Sequence, residues 1–159
     1  KASGQYLNSV LAKLEAERAG VEEAILLDER GMVCEGTGEN LFIVKDSVIL
    51  TPPQTASILD GINRRSAIEV AGNLGYRVVE RDIARAELYL ADELFCTGTA
   101  AELTPIREVD GHPVGGGTVG PVTKAVQAAF EDALHGRNEQ YRKWLDPVPA
   151  HHYAVAGSA

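Results

Sequence analysis

Short apolar runs separated by turn residues recur along this chain and limit the folds that it can adopt. Such runs occupy positions 24–27, 41–44, 48–50 and 94–96, and their length is typical of β-strands. The polar residues at 45–47 join the second run to the third, as the turn of a β-hairpin does. The pattern predicts a sheet that is built largely from hairpins.

Three longer stretches show the spacing of amphipathic helices instead. Their apolar faces carry Leu7, Val10, Leu11 and Leu14 in the first helix, Ala67, Val70, Ala71 and Leu74 in the second, and Val122, Val126, Ala129, Phe130 and Ala133 in the third. Gly20 ends the first helix, Gly61 precedes the second and Gly75 caps the second at its C-terminus. We therefore expect one mixed α/β (α+β) domain over residues 1–146 and a mobile tail over residues 147–159.

Charge and composition argue against several kinds of partner. A formal net charge of −8 disfavours nucleic acid and anionic membrane surfaces. No apolar run approaches the roughly 18 residues of a membrane-spanning helix, and no secretory signal is expected. Cys34 and Cys96 lie in apolar, strand-like segments, where reduced core cysteines are commoner than a disulfide. These features favour a reducing, cytoplasmic location.

Metal and serine-nucleophile chemistry find little support in the sequence. The four histidines are scattered or lie in the tail, and no Cys/His pair has the spacing of metal ligands, so no metal site is predicted. The chain lacks a G-x-S-x-G motif. The glycines at 115–117 indicate a flexible loop, because no G-K-S/T follows them.

Four separated blocks carry the most specific signal. They are KASGQYLN at 1–8, EGTGENLF at 35–42, LDGINR at 59–64 and GTAAELTP at 98–105. In this order and at about these spacings they resemble the fold-type IV aminotransferases, and in detail their bacterial branched-chain members. The resemblance implies the large C-terminal cofactor-binding domain of the D-amino-acid aminotransferase-like fold, a hairpin-rich sheet or pseudo-barrel flanked by helices. It also implies pyridoxal 5′-phosphate as the cofactor.

The resemblance assigns the reactive end of the cofactor to three residues. Lys1 matches the family's catalytic lysine, which forms an imine with the cofactor aldehyde and later moves a proton at the substrate Cα. Glu35 matches the carboxylate beside the ring nitrogen, where a negative charge stabilises the pyridinium. Tyr6 matches the tyrosine that donates to the phenolic oxygen of the cofactor.

The same resemblance divides the remaining site residues between the phosphate and the substrate. The residues that match the phosphate cup are Gly61, Ile62, Asn63, Gly98 and Thr99, since a helix N-terminus after glycine offers clustered N–H groups. Ala100 and Ala101 match the turn whose amides receive the substrate carboxylate, and Glu39 is expected at the pocket wall. Arg64 and Arg65 are interpreted as helix-surface residues, because the family's phosphate arginine lies upstream of the lysine.

The resemblance implies transamination of L-leucine, L-isoleucine and L-valine with 2-oxoglutarate. It also implies that a smaller N-terminal domain precedes Lys1 in the complete enzyme and that the protein assembles as a homodimer or a larger homo-oligomer. Other fold-type IV activities remain open, namely D-amino-acid transamination, amine transamination and aminodeoxychorismate lysis. A further alternative is a non-catalytic module that only binds cofactor or oligomerises.

Overall fold

The structure is a computed structural model that describes residues 3–148. Its helices are α1 (Leu7–Arg18), α2 (Ile62–Asn73), α3 (Arg85–Tyr89) and α4 (Pro121–Leu134), with 3-10 helices at Ser3–Tyr6 and Glu139–Trp144. Its strands are β1 (Ile25–Leu27), β2 (Val33–Gly36), β3 (Asn40–Lys45), β4 (Val48–Thr51), β5 (Arg77–Glu80), β6 (Glu93–Gly98), β7 (Glu102–Ile106), β8 (Glu108–Val109) and β9 (His112–Pro113). The mixed α/β class with many hairpins is confirmed.

Strand β3 is the centre of a seven-stranded sheet. One edge of β3 pairs with β6, and the other edge pairs with β2 at its start and β4 at its end, all antiparallel. The outer strand β7 pairs with β6, whereas β5 runs parallel to β4 because α2 connects them. Asp46 and Ser47, both at positive φ (49° and 62°), form the tight turn between β3 and β4.

The sheet is buried on both faces, which explains why the β3 sequence is continuously apolar rather than alternating. Phe42 and Val44 point to one core cluster, which α2 and α4 cover. Leu41 and Ile43 point to the other cluster, which lies on the opposite face. Phe42 stacks on Phe95 of β6, with ring centroids 4.8 Å apart.

The predicted faces of α2 and α4 pack largely as expected. The buried members are Ala67, Val70, Ala71, Val122, Val126, Phe130 and Ala133. Leu74 is 45% exposed because it lies past the last turn of α2. Gly75 follows at a φ of +88°, as a helix-ending glycine should.

The structure corrects two predictions, namely that the apolar row of α1 is buried and that Arg64 lies on the surface. Helix α1 is confirmed, but its apolar row is exposed: Leu7 is 69%, Val10 55%, Leu11 66% and Leu14 44% accessible. Within residues 3–148 the row thus remains largely open to solvent, and Ala16 alone of the α1 residues is buried.

The expectation that Arg64 lies on the helix surface is wrong. Arg64 is 1% exposed, donates to the carbonyl of Pro52 at 2.8 Å and pairs with Glu80. It occupies the same face of α2 as Ala67 and Ala71, so its guanidinium reaches the ends of β4 and β5. Arg65 does lie on the surface, with 59% of its side chain exposed.

Candidate functional site

The ends of three strands meet at one edge of the sheet. Asn40, the first residue of β3, pairs with Glu35 of β2 on one side and with Thr97 of β6 on the other. This register places the β2–β3 turn beside the β6–β7 turn. A Cβ atom on Gly98 would lie only 3.1 Å from Cγ of Glu39 and 3.1 Å from the carbonyl oxygen of residue 38, so the two turns are in direct contact.

The Glu35 carboxylate is held by hydrogen bonds at this edge. Its Oε2 accepts from Nδ2 of Asn40 at 2.9 Å and from the backbone N–H of Leu59 at 3.0 Å. Asn40 Nδ2 also donates to the Leu59 carbonyl at 2.9 Å. Two donors on one oxygen stabilise a carboxylate in a single orientation.

The N-terminus of α2 lies next to this network. Gly61 precedes α2 in an extended conformation, and no side chain caps the first turn. A Cβ atom on Gly61 would lie 2.2 Å from Oδ1 of Asn40, so the helix entry contacts that amide closely. An uncapped helix N-terminus attracts anions through its N–H groups and its dipole.

Asn63, in the first turn of α2, ties this helix to the β6–β7 turn. Its Nδ2 donates to the carbonyl of Gly98 at 2.7 Å. The structure therefore brings together the residues predicted for the phosphate, Gly61 to Asn63 and Gly98 to Thr99. Their role in binding phosphate stays a prediction.

Glu39 lies under the same turns. Its Oε2 accepts from the backbone N–H of Gly38 at 3.1 Å, and its side chain fills the space beside Gly36 and Gly98. Burial raises the pKa of the Glu39 carboxyl above its ordinary value, and the neighbouring charge of Glu23 adds to the effect. Glu39 is thus packed between the two turns, and its position at the wall of a substrate pocket stays a prediction.

The remaining predicted residues are Lys1, Tyr6, Ala100 and Ala101. Lys1 lies outside the described residues. Tyr6 ends the first 3-10 helix and is half-buried. Ala100 is exposed and Ala101 half-buried in the β6–β7 turn, where the Ala101 carbonyl accepts from Thr104 Oγ1 at 2.6 Å.

Sequence reasoning assigned no role to Asn40 or Leu59, which hold Glu35 in the structure. The one available signal is the amide at the start of a run of apolar strand residues. Asn40 is 5% exposed, and a buried amide requires hydrogen-bond partners. Leu59 contributes only backbone atoms, so its side chain gives no indication of the contact.

The arrangement offers a fixed carboxylate and an uncapped helix N-terminus at the same edge of the sheet. A ligand that carries a cationic ring nitrogen at one end and a phosphate at the other would satisfy both. Among residues 3–148, no three His, Cys, Asp or Glu side chains are grouped closely enough to hold a metal ion. No helix in that part of the chain is long and apolar enough to cross a membrane.

The family profile described as amino-transferase class IV matches residues 2–109. This chain belongs to that family. The branched-chain-amino-acid aminotransferase of Salmonella typhimurium is 53% identical over 148 residues, which cover 93% of this chain and 48% of that relative. The chain therefore spans about half the length of the curated relatives that it matches.

Solved aminotransferase structures share the fold of this chain. The branched-chain amino acid aminotransferase from Thermobaculum terrenum, solved in its PLP-form, superposes with a TM-score of 0.91 at 42% identity and covers 94% of this chain and 49% of its own. The Escherichia coli enzyme gives a TM-score of 0.91 at 52% identity and covers 94% of this chain and 49% of its own. The fold-type IV architecture is thereby confirmed.

Proposed function

We propose that the protein containing this chain transaminates branched-chain L-amino acids with 2-oxoglutarate and uses pyridoxal 5′-phosphate. One structural observation carries the proposal: the hydrogen-bonded Glu35 carboxylate lies beside the uncapped N-terminus of α2. The substrate class rests on relatives that are named branched-chain-amino-acid aminotransferases and are 53% identical to this chain.

The residues present fit the cofactor at both of its ends. Gly61 leaves the N–H groups of the first α2 turn without a side-chain cap, which suits a phosphate dianion. The β6–β7 turn, tied to that helix by Asn63, adds the backbone of Gly98 and the hydroxyl of Thr99. At the other end, Glu35 supplies the negative charge that a protonated ring nitrogen needs.

Pyridoxal phosphate, when bound, supplies an electron sink for the negative charge that develops at the amino-acid Cα. Glu35 holds the proton on the ring nitrogen, and Tyr6 donates a hydrogen bond to the phenolic oxygen. Lys1 would provide the amine that removes the proton from the amino-acid Cα in the first half-reaction and delivers a proton to the Cα of the 2-oxo acid in the second. The amides of Ala100 and Ala101 receive the substrate carboxylate, and Glu39 keeps their turn in place from below.

The complete catalytic unit includes an upstream domain. The curated relatives are about twice as long as this chain, and the exposed apolar row of α1 begins six residues after Lys1. We propose that the upstream domain covers that exposed row. The upstream domain also supplies the arginine that binds the phosphate and most of the pocket for the substrate side chain. The assembled protein is a homo-oligomer, and its location is the reducing cytoplasm.

The test measures initial rates with the full-length protein on L-leucine, D-alanine and an arylalkyl amine that carries a Cα hydrogen, each with 2-oxoglutarate as acceptor. We expect turnover of L-leucine with marked preference over the other two. Lys1→Ala should abolish turnover and leave the circular dichroism spectrum unchanged, whereas Lys124→Ala, an exposed lysine on α4, should keep full activity. No turnover of L-leucine, or full activity of Lys1→Ala, would contradict the proposal.

An independent measurement locates the cofactor. Borohydride reduction of the full-length protein with bound pyridoxal phosphate, followed by peptide mass analysis, should place the added mass on Lys1. Labelling of another lysine would reject the assignment of Lys1.

A further inference from the structure

We infer that Asn40 is a positioning residue, which fixes the Glu35 carboxylate and the approach to α2 as one unit. The inference rests on the proposed function, since it concerns the ion pair between Glu35 and the ring nitrogen of pyridoxal phosphate. Asn40 itself is not placed in contact with the cofactor.

Three hydrogen bonds close a ring around this amide. Asn40 Nδ2 donates to Oε2 of Glu35 and to the carbonyl of Leu59, each at 2.9 Å. The Leu59 N–H donates to the same Glu35 oxygen at 3.0 Å. Both hydrogens of the amide are therefore used, and both backbone groups of Leu59 are held.

The location of Asn40 makes this ring rigid. Asn40 is 5% exposed and begins strand β3, whose next four residues are each 1% exposed. The strand pairs on both sides at this position, with Glu35 and with Thr97. A side chain on a central, buried strand does not move with the surface loops, so its hydrogen bond holds the Glu35 carboxylate at a fixed position relative to the sheet.

The other face of the amide fixes the phosphate end. Oδ1 of Asn40 lies against Gly61, where a Cβ atom would come within 2.2 Å. Gly61 opens α2, whose first turn carries the predicted phosphate donors. One side chain thus sets the distance between the carboxylate for the ring nitrogen and the helix end for the phosphate. Pyridoxal phosphate is a rigid ring with a short phosphate arm, so its affinity depends on that distance.

Asn40→Asp is the sharpest perturbation, because it keeps the oxygen that lies against Gly61 and removes only the two donors of Nδ2. The new carboxylate faces Oε2 of Glu35 and the Leu59 carbonyl, both acceptors. Two carboxylates at hydrogen-bond distance cannot both stay ionised and unshared. Glu35 then no longer presents a full negative charge to the ring nitrogen.

The experiment compares two cofactors in the full-length apo-protein: pyridoxal phosphate and its deaza analogue, in which carbon replaces the ring nitrogen. We expect Asn40→Asp to weaken the affinity for pyridoxal phosphate by about tenfold or more. The loss for the deaza analogue should be at least several-fold smaller, since that analogue makes no ion pair with Glu35. A purely structural defect would weaken both cofactors equally, and that result would overturn the inference.

A double-variant cycle gives the second readout. If Asn40 acts through Glu35, the variant Glu35→Gln/Asn40→Asp should bind pyridoxal phosphate about as weakly as Glu35→Gln alone, because interacting residues are not additive. Fully additive losses would overturn the inference. Asn73→Asp is the matched control, since Asn73 Nδ2 donates to the Tyr141 hydroxyl at 2.8 Å in another part of α2; it should leave both affinities unchanged.

Circular dichroism of each apo variant checks that it folds. If Asn40→Asp does not fold, Asn40→Ser replaces it: the shorter side chain loses the hydrogen bond to Glu35, and the loss of affinity should again be larger for pyridoxal phosphate than for the deaza analogue. The two hypotheses fail differently. Absence of pyridoxal phosphate binding by the unmodified protein rejects the proposed function, whereas normal binding with equal losses for both cofactors rejects only the role of Asn40.

Discussion

Glu93 provides the clearest test of how the fold is stabilised. It lies at the start of β6, is 7% exposed and points at the N-terminus of α4. Its Oε1 accepts from the Val122 N–H at 3.0 Å and its Oε2 from the Thr123 N–H at 2.6 Å. A Cβ atom on Gly120 would lie 2.0 Å from Cδ of Glu93, so the carboxylate fills the space at the helix entry. A residue of the sheet therefore caps a helix that has no capping side chain of its own.

The cost of Glu93→Ala follows from these contacts. Hydrogen bonds to charged groups contribute about 1.5–3 kcal/mol each, and losing the carboxylate leaves two buried N–H groups without an acceptor. Water that enters the vacated space recovers part of this, so we expect a loss of about 2–5 kcal/mol in the free energy of unfolding. In a domain of this size 1 kcal/mol corresponds to about 2–4 °C, so a loss of about 3 kcal/mol lowers the midpoint by about 6–12 °C.

Thermal unfolding followed by circular dichroism measures the loss, and amide hydrogen exchange localises it to residues 121–124. Glu93→Gln keeps one acceptor and should lose roughly half as much. Glu131→Ala, an exposed glutamate on the same helix, is the matched control and should change the midpoint by about 2 °C at most. If Glu93→Ala unfolds at the same temperature as Glu131→Ala, the cap is not a stabilising contact.

Three further predictions follow from contacts near the site. Gly61→Ala pushes a methyl group into the side-chain amide that lies against it, which should cost about 1–3 kcal/mol of stability and weaken cofactor binding. Cys34 and Cys96 are free thiols, and burial raises the pKa of both, that of Cys96 to about 12, so neither should react with a thiol reagent at neutral pH until the protein unfolds. Burial raises the pKa of Glu39, so ionisation of its carboxyl opposes folding. The protonated carboxyl leaves the free energy of unfolding at its full value below the ordinary carboxyl pKa, and part of that free energy is lost as the pH rises through the raised pKa. Glu39→Gln should therefore gain in melting temperature, relative to the unmodified protein, as the pH increases.

Each of these has a control and a result that would contradict it. Gly72→Ala, where a Cβ atom meets nothing within 4 Å, should leave stability and cofactor binding intact; equal effects of the two glycine variants would remove the steric explanation. Rapid labelling of either cysteine in the folded protein would show that its segment opens. A constant difference in melting temperature between Glu39→Gln and the unmodified protein at all pH values would show that Glu39 ionises normally.

The sheet and two helices could be predicted because their signals are local. The apolar run at 41–44 and the polar turn after it define β3 and the hairpin to β4, and the spacing from Val122 to Ala133 defines the face of α4. The local pattern of apolar residues, a continuous run in β3 and a helical spacing in α4, matches the surfaces that are buried. The four sequence blocks likewise indicated the family, which the comparisons confirm.

Other features could not be predicted because they depend on distant backbone. Arg64 is buried although charged residues usually stay at the surface, since the carbonyl of Pro52 and the carboxylate of Glu80 meet its guanidinium only after β4 and β5 pair. Asn40 and Leu59 interact across 19 positions of the chain, partly through a carbonyl that every residue possesses. The exposed row on α1 has the same spacing as a buried one, because periodicity does not identify the surface that covers it.

The site forms at this edge because β3 is central. Its first residue pairs with both β2 and β6, so the turns that leave those strands must emerge side by side. The helix α2 starts at the same edge, because Arg64 and Asn63 attach its first turn to the ends of β4 and β6. The carboxylate and the helix N-terminus are therefore both attached to buried strands of the sheet. A site of this kind can bind the same cofactor while the segments that cover it differ. One fold can therefore serve several amino-acid substrates.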